Sequence, residues 1–214
     1  MKFLGFNKVL CLSPHPDDVE FGMMGTILKY NDTHFDIICL SSGGDFDDTT
    51  GQNRLQEVQN VWGNQPNVTL HFTKFKLLKE LDHDAWVNFI ENNFINIPDT
   101  AGYTYDCIFV PTKEDSHFEH KIVNELSFPL TRIKNISILE YRTPSTLDSW
   151  SPNTFTDITT YFDEKYNKLM KFESQKGRWY FQKDLLKSFH SNFQSYKKGI
   201  KYTEKFRLIQ LYKL

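Results

Sequence analysis

The amino-acid sequence predicts an α/β protein with a Rossmann-like, three-layer α/β/α architecture and a mostly parallel sheet. Short apolar runs alternate with segments of helical spacing through the first two-thirds of the 214 residues, a pattern typical of βαβ units. Right-handed crossovers between such strands place helices on both faces of one sheet. No Pro/Gly/Ser-rich stretch divides the chain. We therefore expect a single domain over 1–214, with the layered core in 1–143 and an extension packed on it in 144–214.

Five strands and five helices are predicted in order along the chain. The strands are short runs with many apolar residues, at Val9–Ser13, Phe35–Ser41, Val68–Phe72, Cys107–Pro111 and Ile136–Tyr141. The helices have apolar residues three and four apart, at Phe21–Tyr30, Arg54–Trp62, Asp84–Asn96, Glu119–Leu126 and Tyr161–Ser174. Asp84 is the predicted N-cap of the third helix. The segment Gly177–Gly199 has no pattern that assigns it to an element.

Charge and composition exclude several classes of protein. The formal net charge is −2 and the basic residues are scattered, whereas nucleic-acid binding requires a concentrated basic surface. No segment approaches the roughly 20 apolar residues of a membrane-spanning helix, so we expect a cytoplasmic protein. Its three cysteines lie in strand-like runs without CxxC spacing, which argues against a disulfide framework and against a cysteine metal site. The sequence leaves the oligomeric state open, including a homo-oligomer.

Polar residues gather where the predicted strands end. In Pro14-His15-Pro16-Asp17-Asp18, positions 15 and 18 are three apart, so His15 and Asp18 can face one ion while Asp17 projects elsewhere. His117 and His120 have the same spacing after the fourth strand. In open α/β sheets, ligands collect beyond the carboxyl ends of the strands. Two histidine nitrogens and one carboxylate, with a fourth position left to water, form the ligand set of a catalytic zinc site.

Each of these segments alone has a simpler interpretation, because a loop carboxylate is usually a helix cap or a turn residue. Their joint position at the ends of two strands of one sheet favours metal binding. The first strand–helix turn reads SPHPDDVEFG and lacks the GxGxxG phosphate cradle. This excludes a dinucleotide-binding dehydrogenase.

The PHPDDxE segment, followed about a hundred residues later by DxHxxH, resembles the LmbE-like (PIG-L) family of zinc-dependent N-deacetylases. Further features are similar to that family: Arg54 and Glu57 after a turn with Gly43-Gly44-Asp45, a late helix from Lys168 to Ser174-Gln175, and a closing Glu204-Lys-Phe206. The resemblance implies removal of an acetyl group from an N-acetylglucosamine-type amino sugar. It implies zinc as cofactor, although a site of two histidines and one aspartate also accepts Fe²⁺ or Mn²⁺.

The resemblance also implies roles for individual residues. The zinc ligands would be His15, Asp18 and His120, with Asp17 as the general base that deprotonates the attacking water. His117 would stabilise the oxyanion. Asp115 and Glu119 take supporting positions behind these groups. Glu20 either orients a neighbouring residue or is a first-turn carboxylate that the helix dipole favours. Arg54 would bind sugar hydroxyls or a substrate carboxylate, and the alternative is a solvated charge paired with Glu57.

Three positions depart from the family pattern, namely Pro14, Phe118 and Glu119. Glu119 stands where the family commonly has aspartate, and if that carboxylate orients His117, the extra methylene changes its reach. Two alternatives to the sugar deacetylase therefore stay open: an amidase for another N-acyl small molecule, and a sugar-binding protein with impaired catalysis. The acidic turn of Asp45, Asp47 and Asp48 is interpreted as loop chemistry. Core or dimer packing is the predicted use of the aromatics Trp150, Tyr161, Trp179 and Tyr180, and stacking against a sugar ring is the alternative.

Overall fold

The computed structural model describes residues 1–43, 48–73, 82–96, 105–132, 135–192 and 198–212. Its described residues contain one seven-stranded sheet with the strand order β3-β2-β1-β4-β5-β7-β6. The strands are β1 Lys8–Ser13, β2 His34–Cys39, β3 Val68–Phe72, β4 Cys107–Pro111, β5 Ser137–Tyr141, β6 Thr154–Asp157 and β7 Thr203–Gln210. The first five are parallel, whereas β7 is antiparallel to both β5 and β6. The predicted mostly parallel sheet is confirmed.

Six α-helices flank the sheet within the described residues. They are α1 Asp18–Lys29, α2 Asp48–Trp62, α3 His83–Ile90, α4 Phe118–Ser127, α5 Phe162–Leu169 and α6 Lys183–His190. Successive side chains of β1 point to opposite faces, and each face has its own core. Val9 and Cys11 pack in the core that includes α1, α2, α5 and α6, whereas Leu10 and Leu12 pack with α3 and α4. The result is the predicted three-layer arrangement.

Helix α1 lies completely inside the protein, because all its residues from Asp18 to Leu28 are buried. Two glycines permit this close packing. A Cβ at Gly22 would lie 2.7 Å from the Tyr141 ring, and a Cβ at Gly25 would lie 2.8 Å from Ile158. The buried Glu204 of β7 accepts hydrogen bonds from the backbone of Gly25 and Thr26. This contact fixes the C-terminal strand against the helix that begins at the candidate site.

The chain after residue 143 does more than pack on the core. It adds β6 and β7 to the edge of the sheet beside β5, which the sequence did not predict. Inside this region, Lys165 is fully buried and donates a hydrogen bond to Glu204 at 2.6 Å. Lys168 is the residue that the sequence matched to the lysine of the family's late helix. In the structure Lys168 is partly exposed and donates a hydrogen bond to the Val61 carbonyl.

Two further details differ from the prediction. Asp82, not Asp84, caps α3, because its carboxylate accepts from the backbone N–H groups of Asp84 and Ala85. After Ile90 that helix continues as a π-helical turn at Glu91–Ile95. In the described part of the chain, no helix combines the length and the hydrophobicity needed to cross a membrane.

Candidate metal-dependent active site

The turn between β1 and α1 positions the first group of site residues. Ser13 ends the strand and its hydroxyl donates to the His15 carbonyl at 2.6 Å. Asp17 then adopts φ 130°, ψ −19° immediately before α1 begins at Asp18. This backbone conformation is unfavourable for a residue with a Cβ, and such strain persists where the surrounding structure enforces it, often at functional sites. Because of this turn, the Asp17 side chain points towards Arg54 and the Asp18 side chain points towards His15 and His120.

Three ligand atoms meet on the floor of a cleft at the carboxyl ends of β1 and β4. His15 Nδ1 lies 3.1 Å from Asp18 Oδ2, Asp18 Oδ2 lies 3.2 Å from His120 Nε2, and the two nitrogens are 3.4 Å apart. Zinc bonds of about 2.0–2.1 Å in a tetrahedral site place neighbouring ligand atoms about 3.3 Å apart. The donor types and their separations therefore fit a zinc ion held by these three residues.

Two carboxylates orient the histidines from behind. Glu119 Oε2 lies 2.5 Å from His15 Nε2, and Asp115 Oδ2 lies 3.0 Å from His120 Nδ1. Each carboxylate accepts a hydrogen bond from one ring nitrogen and so directs the other nitrogen towards the floor, as in carboxylate–histidine–metal arrangements. Thr143, just after β5, donates to Asp115 at 2.6 Å.

The sequence left open whether Glu119 orients His117, and the structure places its carboxylate on His15. The longer side chain lets a residue of α4 reach the turn after β1. The departure from the family's aspartate therefore does not by itself disable the floor.

Electrostatics tie the floor together. Although burial opposes protonation, Asp18 and Asp115 raise the pKa of His120 to about 10. Asp18 and Glu119 likewise raise the pKa of His15 against the effect of burial. Both histidines in turn hold the pKa of Asp18 well below its usual range, although burial alone would raise it. The carboxylates of the floor thus favour positive charge on its histidines, and a metal ion would supply that charge in their place.

His117 lies at the rim of the floor and is exposed. Its ring centroid lies 4.6 Å from those of both His15 and His120. The ligand atoms of the three histidines lie within 4.8 Å of one another, so they form an alternative metal group. The set with Asp18 is tighter, and carboxylates orient both of its histidines. We therefore favour Asp18 as the third ligand. Desolvation in the cleft and the charges of His15 and His120 lower the pKa of His117.

Arg54 holds Asp17 in place. Its guanidinium donates to Asp17 Oδ1 at 2.8 Å, to the Pro16 carbonyl at 3.0 Å and to the Gly43 carbonyl at 2.6 Å. Gly43 has φ +64°, and a Cβ there would lie 2.3 Å from the guanidinium. Arg54 is only 7% exposed, so the expected alternative of a solvated charge is wrong. Glu57 instead accepts hydrogen bonds from the backbone and hydroxyl of Ser174.

Burial raises the pKa of Asp17 although Arg54 opposes the shift. A carboxylate with a raised pKa beside a metal-ligating floor is suited to general-base chemistry. Glu20 lies one helical turn below and is fully buried, with Oε1 accepting from the Trp62 indole at 2.6 Å. Burial raises the pKa of Glu20 to about 7. It orients Trp62, and its Oε2 has no partner among the described residues.

The cleft above the floor has a volume of about 230 Å³, and it has a wall that sequence reasoning did not predict. We call this space the first cleft and define its C-terminal wall as Gln175, Arg178 and Tyr180. Gln175 was noted only for its similarity to the family, and the other two lie in the segment that had no assigned pattern. Pro144 and Ser145 from the loop after β5 close another side. Burial raises the pKa of Tyr180.

The other predictions for this region have mixed outcomes. Trp150 is buried, Trp179 is exposed and Tyr180 lines the first cleft, so core packing describes only part of that group. The three cysteines are buried and free, as expected. In the acidic turn, Asp45 and Asp47 lie outside the described residues, as does Gly44.

The structure thus combines an α/β sheet with two histidines and one aspartate at its carboxyl edge, a donor set that suits a divalent metal ion. Residues 10–130 match the model of the PIG-L family, described as GlcNAc-PI de-N-acetylase. This match covers more than half of the chain, and the protein belongs to that family.

Individual relatives agree with this membership. Over 38 residues the chain is 47% identical to diacetylchitobiose deacetylase of Thermococcus kodakarensis, a stretch that covers 18% of this chain and 14% of that relative. The fold is similar to N,N'-diacetylchitobiose deacetylase from Pyrococcus horikoshii complexed with its inhibitor MPG, with a TM-score of 0.72, 20% identity and coverage of 97% and 85% of the two chains.

The fold is also similar to the 4-carboxy-2-hydroxymuconate hydratase of Pseudomonas putida, with a TM-score of 0.71, 14% identity and coverage of 97% and 98%. At these identities the likeness concerns the fold alone. The reaction has to be argued from the site.

Proposed function

We propose that this protein is a metal-dependent N-deacetylase that hydrolyses the N-acetyl group of an N-acetylglucosamine-type amino sugar. The observation that carries the proposal is the floor, where His15 Nδ1, Asp18 Oδ2 and His120 Nε2 lie 3.1–3.4 Å apart beside the buried Asp17. Family membership and the deacetylases among the relatives support the substrate class. We also propose that the whole chain acts as one domain, and a cytoplasmic location stays a prediction.

We propose that His15, Asp18 and His120 hold the metal, with zinc as the ion that best fits the donor set. When bound, the ion would supply Lewis-acid chemistry, polarising the amide carbonyl and making water more acidic. The remaining work falls to side chains. Asp17 accepts a proton from the attacking water as oxygen bonds to the acetyl carbon, and Arg54 fixes that carboxylate.

The developing oxyanion needs a donor, and His117 is at the rim of the floor with its ring exposed to the first cleft. Its lowered pKa leaves the ring neutral at pH 7, and a neutral imidazole still donates one N–H bond. When the C–N bond breaks, Asp17 returns its proton to the departing nitrogen, which gives the free amine and acetic acid; the acid then releases its remaining proton to solvent and leaves as acetate. Arg54 already donates to three protein oxygens, so we assign it to positioning Asp17 in preference to the predicted contact with sugar.

The test is acetate release from N-acetylglucosamine and a panel of its glycosides by zinc-loaded protein, measured beside Asp17→Asn. The amide still accepts from Arg54 but cannot take a proton, so we expect kcat to fall by about 10²- to 10⁴-fold with zinc content unchanged. Asp32→Asn is the matched control, because Asp32 is exposed and pairs with the amino terminus. Zinc-loaded protein that releases no acetate from any N-acetylated sugar would refute the proposed substrate.

A second candidate reaction is water addition to an unsaturated acid, which the hydratase neighbour favours. It would use the same floor and the same general base. Turnover of 4-carboxy-2-hydroxymuconate, with no acetate released from the sugar panel, would establish it in place of deacetylation.

A further inference from the structure

A second cleft of about 300 Å³ is lined in part by the loop that follows β5. Two cations line it, Arg142 at the end of β5 and Lys205 on β7, together with Trp150 and Phe155. We call this space the second cleft. None of its lining residues belongs to the first cleft. The two clefts are therefore separate candidate sites.

The two cations of the second cleft have weak partners. The Arg142 guanidinium stacks over the Phe189 ring at 4.0 Å from its centroid, and within the described part of the chain it forms no hydrogen bond or ion pair. Lys205 Nζ makes one long hydrogen bond, at 3.5 Å, to the Phe189 carbonyl. Asp148 is the one acidic residue lining this cleft among the described residues; it is exposed and forms no salt bridge with either cation.

Nearby Arg207 shows how the same fold pairs a cation. It donates to Glu140 at 2.7 Å and to Glu114 at 2.8 Å. Arg142 and Lys205 are both half-buried, and burial lowers the pKa of each. The charge of Asp148 opposes the shift at Arg142, whereas the charge of Arg142 adds to the shift at Lys205. Two like charges that are partly removed from water and form no salt bridge with a carboxylate are unfavourable, and an anion bound between them would relieve both desolvation and repulsion.

We propose that the second cleft is a binding site for the phosphate group of a small molecule. Arg142 offers a planar fork of donors and Lys205 a point charge, the pairing that suits a doubly charged phosphate. Phe155 is 45% exposed at the cleft, so an aromatic body attached to the phosphate would gain apolar contact there. The shared chemistry is the phosphate, which comes either as the free ion or as an aryl or similar ester.

The loop that begins at Arg142 contributes lining residues to both clefts. Thr143 follows directly and donates to Asp115 behind His120, and Ser145 lines the first cleft. A ligand in the second cleft would therefore contact the loop that supports the metal floor. The proposal itself concerns binding and does not depend on the deacetylase reaction.

The test is calorimetric titration of the zinc-loaded protein with phenyl phosphate and, separately, with inorganic phosphate. We expect saturable one-site binding that weakens at least tenfold in Arg142→Gln and in Lys205→Gln. Lys201→Gln removes the same charge from an exposed position just before β7 and should bind as the wild type does. Thermal melting verifies that each variant is folded, and Lys205→Gln serves should Arg142→Gln not fold.

The two ligands identify the source of the phosphate. Tighter binding of phenyl phosphate than of inorganic phosphate assigns the site to an ester with an aromatic body, and equal binding assigns it to the free ion. The proposal is overturned when neither ligand binds the wild type. It is also overturned when both variants bind with unchanged affinity, since the phosphate then occupies another place, such as the metal floor.

Discussion

The floor and the C-terminal wall of the first cleft are held in different ways. On the floor, Asp18 bridges His15 and His120, and each histidine has a carboxylate behind it. On the wall, Arg178 is exposed and forms no salt bridge within the described residues. Gln175 is 3% exposed, yet its Oε1 has no partner there.

This difference indicates that the floor determines the reaction and that the wall determines which substrate binds. A metal floor needs ligand atoms held to within a few tenths of an ångström, and hydrogen bonds from behind supply that precision. Polar groups of a wall that lack partners are available to substrate. The comparison predicts that floor variants lose metal or catalysis, whereas wall variants lose substrate affinity.

The largest effect in this comparison is expected at Asp115. Asp115→Ala removes the acceptor behind His120 Nδ1, and loss of such a partner typically weakens metal binding by about 10- to 100-fold. Zinc affinity measured by competition with a chelator checks this. Glu125→Ala removes an exposed carboxylate from α4 and should leave the affinity unchanged. Equal zinc affinity in Asp115→Ala and wild type would show that the floor is not organised in this way.

The next effect concerns Glu20, buried below the floor. Because the pKa of Glu20 is about 7 in the folded protein against an ordinary 4.5, the stability contributed by its protonated form is present below pH 4.5 and is lost as pH rises through 7. The glutamine of Glu20→Gln cannot ionise. The free energy of unfolding of the variant minus that of the wild type should therefore be larger at pH 8 than at pH 4, by on the order of 1–3 kcal/mol.

Urea denaturation of metal-free protein at pH 4, 6 and 8 measures the Glu20 effect. Glu125→Gln, at an exposed position, should follow the wild-type pH dependence. Parallel curves for Glu20→Gln and wild type would mean that this carboxyl ionises at its ordinary pKa.

The smallest effect is expected at the wall. Arg178→Ala removes a cation that touches the substrate space without supporting the floor, so KM should rise about two- to tenfold with kcat nearly unchanged, as for a uniform binding contact. Steady-state acetate release checks this against Lys176→Ala, a nearby exposed cation that pairs with Glu173. A fall in kcat with unchanged KM would move Arg178 from the wall to the catalytic machinery.

Much of the fold could be predicted because the local spacing of apolar residues indicates where strands and helices form. All five predicted strands were found, and Val68–Phe72 and Cys107–Pro111 have the predicted bounds. The strands β6 and β7 were missed. β6 is the short, partly exposed edge strand, and β7, which lies between β5 and β6, mixes polar residues with apolar ones, so neither has the continuous apolar run of a buried parallel strand.

The sequence by itself predicted the first βα turn and the pairing of His15 with Asp18, because residues three apart at the start of a helix share one side. The proposed ligand set and general base came from the resemblance to the family. Only the tertiary structure decided what stands behind and around them. Glu119 supports His15, Arg54 holds Asp17, and Arg178 and Tyr180 form a wall of the first cleft. The first two contacts join segments that are 104 and 37 residues apart along the chain. Local spacing cannot encode such contacts, because they arise only when the sheet brings the ends of its strands together.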